Sequence, residues 1–82
     1  MTGPGPNALL VAIVVKGLKD SGGSMKRMSG DSGVVLTWPA GVRDIQTGVL
    51  HTEPHTDQTA DPATSDMLVH FAARFGLAVE DA

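Results

Sequence analysis

The chain has 82 residues, no cysteine and a net charge of −3, which limits it to one small domain and excludes disulfides, thiolate catalysis and iron–sulfur clusters. Apolar residues make up 41% of the chain and charged residues 18%, so it is too apolar to be disordered throughout. With six basic residues against nine acidic ones, it lacks the basic footprint of a general nucleic-acid binder.

The N-terminal part of the chain predicts a flexible lead followed by an apolar helix. Residues 1–6 are rich in Gly and Pro, and we expect them to form the lead. Asn7 is a good N-cap, the apolar residues that follow it recur at helical spacing, and Gly22 is a suitable end. A buried strand over residues 10–15 is the alternative, because four of those six residues are β-branched.

This first segment is apolar on every side over residues 8–15. Its apolar surface is larger than the thin core of a small domain easily encloses. It is therefore either a central core element or an interface with a partner or a second copy. The predicted interface residues are Leu10, Val11, Val14, Val15 and Trp38. The run is too short to span a membrane and lacks the basic flank of a signal peptide, so we expect a cytoplasmic protein.

Residues 21–33 contain four glycines and four serines, which predicts a loop without regular structure over most of its length. Glycines near Lys26 invite comparison with a phosphate-binding loop. The spacing G-x-x-x-x-G-K-[ST] is missing, so the segment is interpreted as a loop with incidental charge.

The strongest β signal follows this loop. Val34, Leu36 and Trp38 alternate with their neighbours as in a half-buried strand. Residues 39–41 (Pro-Ala-Gly) form a tight-turn sequence, so residues 42–50 are predicted to return as the second strand of a β-hairpin. A short helix over residues 40–47 is the alternative. Trp38 is expected to pack in the core, because tryptophan is highly buried on average.

Residues 51–61 are polar and lack apolar periodicity, so they are predicted to form a loop. In an extended backbone, His51, Glu53, His55 and Asp57 would share one face. Imidazoles and carboxylates are zinc ligands, so His51, Glu53 and His55 are candidate metal ligands. A solvated polar loop is the alternative interpretation.

The C-terminal part contains the clearest helix. Asp61 is a good N-cap, Pro62 occupies the favoured first position, and Gly76 is a C-terminal stop. Apolar residues recur between them at helical spacing, and His70 falls on the flank of that stripe. The residues after Gly76 are expected to form a short acidic tail.

Together these elements predict a small α+β domain over residues 7–82, in the order α-β-β-α, with both helices on one face of the hairpin. Because no catalytic motif is present, we expect a non-enzymatic protein-interaction, adaptor or assembly module that forms homo-oligomers. A zinc-binding domain and a small DNA-binding regulator are the alternatives, although the acidic charge disfavours nucleic acid as a partner. The composition is typical of a bacterial or phage protein.

Overall fold

The computed structural model describes residues 7–44 and 47–82, and its first element is a helix, α1 (Ala8–Asp20). Asn7 caps this helix by accepting a hydrogen bond from the backbone N–H of Leu10 at 3.2 Å. The helix ends just before Gly22, which adopts a left-handed conformation with a φ of 82°. The predicted helix is confirmed and the strand alternative is excluded; the predicted flexible lead, residues 1–6, lies outside the described residues.

The second helix, α2 (Pro62–Phe75), begins and ends as its sequence predicts. The carboxylate of Asp61 accepts hydrogen bonds from the backbone N–H of Thr64 at 2.9 Å and from the Thr64 hydroxyl at 2.6 Å. The hydroxyl of Thr64, and then its backbone N–H, hold the pKa of Asp61 below its ordinary value. At the other end, Gly76 is left-handed and the N–H of Leu77 donates to the carbonyl of Ala72 at 2.8 Å.

The described residues form six strands: β1 (Ser24–Arg27), β2 (Val34–Trp38), β3 (Val42–Arg43), β4 (Leu50–His51), β5 (His55–Thr59) and β6 (Val79–Asp81). Four of them make the main sheet, in the order β5-β2-β1-β6. Strand β2 is antiparallel to both of its neighbours, whereas β6 runs parallel to β1. Strands β3 and β4 form a separate antiparallel pair.

The sheet has one covered and one open face, because residues paired across neighbouring strands point to the same side. Met25 is paired with both Leu36 and Val79, and this side faces the helices. The buried core consists of Val11, Val15, Leu18, Met25, Val34, Leu36, Leu68 and Ala72. Side chains on the opposite face are mostly exposed, among them Lys26, Thr37, Thr56, Gln58 and Glu80.

The predicted hairpin is longer than expected and turns elsewhere. Trp38 is paired with His55, and after three intervening residues the chain continues in β3, so β2–β3 and β4–β5 are the two sides of one interrupted hairpin. The N–H of Gly41 still donates across it to the carbonyl of His51 at 2.8 Å. The chain reverses beyond Asp44, whose N–H donates to the carbonyl of Val49 at 2.8 Å.

A turn does form at Ala40 and Gly41, where Gly41 has a φ of 83°, but the chain does not reverse there, so the predicted tight hairpin is wrong. The short helix considered for residues 40–47 is also wrong, because Val42–Arg43 is a strand. Pro39 has no N–H to donate, which interrupts the ladder without reversing the chain. The predicted return strand over residues 42–50 is reduced to short pieces at its ends, and two residues near its centre, Ile45 and Gln46, lie outside the described residues.

Three strands lie in segments that the sequence predicted to be irregular. Strand β1 lies inside the Gly/Ser-rich segment 21–33, β5 inside the polar segment 51–61, and β6 in the acidic tail. Strand β5 gains backbone hydrogen bonds from β2, and β1 and β6 gain them from each other across most of the chain, while β1 also forms a local hairpin with β2. These ladders override weak intrinsic β-propensity. The α-β-β-α order is thus incomplete, but the α+β single domain is confirmed.

Neither helix in the described parts of the chain has the length and apolar character needed to cross a bilayer. Helix α1, the more apolar of the two, has 13 residues, whereas a span needs about twenty.

Candidate functional site

The predicted interface residues separate into buried and accessible groups. Val11 and Val15 are 8% and 0% exposed and lie in the chain's own core. Leu10 is 37% exposed, and Val14 and Trp38 are half-buried at the edge of the core. Only these last three of the five are accessible to another molecule.

The outward surface of α1 carries three large apolar side chains, which we call the outer stripe: Leu9, Leu10 and Ile13. Their exposed fractions are 72%, 37% and 45%. Residues three or four apart are neighbours on a helix, so Ile13 adjoins both leucines. The stripe ends one turn later at an exposed ion pair, in which the ammonium of Lys16 lies 2.9 Å from the carboxylate of Asp20.

A second group of side chains lies where the long hairpin is interrupted. The rings of Trp38 and His55, paired across β2 and β5, are parallel to within 6° with centroids 6.1 Å apart. His51 also stacks on His55, with centroids 3.8 Å apart. This three-ring stack ties the outer part of the hairpin to the main sheet; we call its described residues, 42–44 and 47–51, the distal arm.

Two carboxylates flank the ring stack. Oδ2 of Asp57 accepts a hydrogen bond from Nε1 of Trp38 at 3.1 Å and lies 3.9 Å from Nε2 of His55. On the distal arm, Oδ2 of Asp44 lies 3.9 Å from Nε2 of His51. Nδ1 of His55 is buried without a hydrogen-bond partner among the described residues. The stack therefore joins aromatic surface to negative charge at one place.

An open groove of about 440 Å³ lies between α1, the distal arm and the covered face of the sheet. Its apolar lining comes from both helices and the hairpin: Leu10, Val11, Val14, Leu36, Trp38, Val42 and Leu68. The polar lining includes Arg43, Asp44, His55 and Asp57. The volume and the mixture of apolar surface with a few polar groups are typical of small-molecule sites.

The structure brings together only two of the three predicted metal ligands. His51 and His55 are in ring contact, whereas Glu53 lies in the exposed bend between β4 and β5. Among the described residues, no group of three metal-ligating side chains is close enough to hold an ion. The zinc site therefore stays a prediction.

The sequence-based prediction does not include most of the groove or two of the three residues of the outer stripe. Leu9 and Ile13 were part of the recognised apolar segment, but only knowledge of which face is buried distinguishes them from Val11 and Val15. Asp57 is expected only to share a face with the candidate metal ligands, and its hydrogen bond to Trp38 depends on a pairing between residues 19 apart in sequence. The regular alternation of Asp57 with His55 and Thr59 is the one sequence signal that places it on their face of a strand.

No family model matches the chain, and neither the curated proteins nor the solved structures contain a significant match. The two surfaces that bear on function are therefore the outer stripe and the groove.

Proposed function

We propose that this protein is a small non-enzymatic interaction module that self-associates through the outer stripe of α1. The observation that carries this proposal is the exposure of Leu9, Leu10 and Ile13 side by side on one helix face. Scattered single apolar residues are normal on a surface, but an adjoining set is typical of an interface. Removing that set from water is the driving force for association.

The stripe suits a two-fold contact between identical helices. If two copies of α1 cross antiparallel, Leu9 of one copy meets Ile13 of the other, and the same contact repeats by symmetry. The Lys16–Asp20 ion pair then lies at the rim, where charge remains hydrated. A stable interface buries about 800 Å² per partner, which is more than three side chains supply. We therefore expect a dimer whose population depends on concentration.

The test is the mass of the protein by light scattering and sedimentation over a hundredfold concentration range. Leu9→Lys and Ile13→Lys should each shift the protein to monomer, because a charge is placed in the contact. Leu50→Lys is the matched control, since Leu50 is 48% exposed but lies on the distal arm. A monomer at all concentrations would end the proposal, and dissociation by Leu50→Lys alone would move the interface to the arm.

Cysteine cross-linking tests the antiparallel arrangement directly, because the chain contains no cysteine of its own. Mixing Leu9→Cys protein with Ile13→Cys protein should give more disulfide dimer than either variant alone. A disulfide needs Cα atoms closer than about 7 Å, so each variant alone places its cysteines too far apart in the proposed crossing. Equal yields in all three samples would contradict the crossing.

Zinc binding is the second candidate, and the contact between His51 and His55 is the observation that favours it. Calorimetry with zinc should show micromolar binding that His51→Ala combined with His55→Ala removes. His70→Ala is the control, because His70 lies exposed on α2. No heat with the unaltered protein would end this candidate. The DNA-binding alternative, the cytoplasmic location and the bacterial or phage origin stay predictions.

A further inference from the structure

We propose that the groove between α1, the distal arm and the sheet is a binding site for small organic cations with a flat apolar body. This inference is independent of self-association, because Leu9 and Ile13 do not line the groove and only Leu10 is shared with it. The groove supplies three things that such a ligand needs: apolar walls, an aromatic surface and an oriented carboxylate.

The apolar body of the ligand would lie against the walls. Leu10 and Val14 lie on the α1 side, Leu36 and Leu68 belong to the buried core beneath, and Val42 lies on the arm side. The volume of about 440 Å³ lies within the range of roughly 300–1,000 Å³ that holds drug-sized ligands. The groove is thus large enough for one small molecule.

Trp38 gives the groove its aromatic surface. Two contacts hold the indole in place: its ring is parallel to that of His55, and its Nε1 donates a hydrogen bond to Asp57. A fixed aromatic ring binds a flat apolar group without losing conformational freedom, and its face attracts a nearby cation. A ligand that combines both groups is therefore favoured over one that has either alone.

Asp57 gives the groove its charge preference. Its pairing with Leu36 directs the side chain to the covered face of the sheet, yet it remains 61% exposed because the groove is open there. The hydrogen bond from Trp38 holds one carboxylate oxygen in position. The other charged residues lining the groove are Arg43, which keeps its positive charge while donating to the carbonyl of Gly48 at 2.7 Å, and Asp44, whose carboxylate offsets that charge. A cation beside Asp57 is accordingly stabilised.

The test uses three probes of one shape and three charges: 3-phenylpropylamine, 3-phenylpropan-1-ol and 3-phenylpropionate. Trp38 is the only tryptophan in the chain, so its indole N–H resonance in nitrogen-15 NMR reports from the groove alone. We expect the amine to shift that resonance at the lowest concentration. The alcohol should need a concentration about fivefold higher, and the carboxylate a higher concentration than the alcohol. Equal affinity for all three, or no shift at millimolar amine, would overturn the proposal.

Asp57→Asn removes the charge, while its amide oxygen can still accept the hydrogen bond from Trp38. In this variant the amine and the alcohol should bind equally. Glu80→Gln is the matched control: it removes the same charge from β6, at the other edge of the sheet, and should keep the preference for the amine. Leu9→Lys should also bind the amine normally, which separates this site from self-association. An unchanged preference in Asp57→Asn would overturn the assignment.

Discussion

Among the described glycines, Gly33 has the least space for a side chain. Its φ of 84° is in the left-handed region, and a Cβ there would overlap the carbonyl of Thr59 on the neighbouring strand. Gly33 therefore allows the loop before β2 to pass against the end of β5. The sequence marked this segment only as glycine-rich, without distinguishing this glycine from the others.

We predict that Gly33→Ala lowers the free energy of unfolding by more than about 2 kcal/mol, because backbone strain adds to the overlap with Thr59. Gly41→Ala is the control, since its φ is 83° but a Cβ there would meet open space. That variant should lose only about 1 kcal/mol, from the left-handed conformation. Urea unfolding of both variants measures the difference, and equal losses would contradict the close approach.

The lowered pKa of the capping residue Asp61 means that the stability of the fold should depend on pH. Its folded pKa is lowered by the hydrogen bonds from Thr64, so the carboxylate stabilises α2 above the unfolded pKa, near 3.8, and loses this effect as the pH falls through the lower folded value. Asp61→Asn keeps a capping oxygen without the charge. The difference in melting temperature between the two proteins should therefore shrink below pH 3.8, and a constant difference would refute this role.

Helix α1 carries apolar residues both in the core and on the exposed surface. Leu18 is fully buried against the sheet and α2, whereas Leu9 is 72% exposed. We predict that Leu18→Ala costs about 3 kcal/mol of unfolding free energy through lost burial and a residual cavity. Leu9→Ala should change it by no more than about 0.5 kcal/mol in dilute, monomeric protein. Chemical denaturation compares the two, and similar costs would mean that the helix face is misassigned.

The stability of the whole domain includes a contribution from strand β6, Val79–Asp81. Strand β6 pairs with β1 in parallel, and the N–H of Ala82 donates to the carbonyl of Arg27 at 2.9 Å. Because the described core holds only eight buried residues, losing one edge of the sheet removes a substantial part of the stabilising contacts.

We predict that truncation after Ala78 lowers the urea midpoint and increases hydrogen exchange at the β1 amides that face β6. A second truncation that removes only Ala82 should have a smaller effect, since the register of Val79–Asp81 with β1 is kept. Unchanged exchange in β1 after the longer truncation would show that β6 contributes nothing to the sheet.

The sequence alone predicted the features that depend on neighbours within about four residues. The caps of both helices, their glycine ends and strand β2 were located correctly from Asn7, Asp61, Gly76 and the alternation around Trp38. Each of these signals arises from hydrogen bonds or side-chain alternation inside one element, so no knowledge of the rest of the chain is needed.

The tertiary structure alone decided which polar segments become strands and which face of α1 is buried. The residues of β5, His-Thr-Asp-Gln-Thr, lack apolar alternation and only the two threonines favour a strand; the segment becomes one because β2 offers it a ladder. Val15 is buried and Ile13 exposed because the sheet and α2 cover one side of the helix. The groove at Asp57 exists only once α1, the sheet and the distal arm are assembled, since its lining comes from residues far apart in sequence.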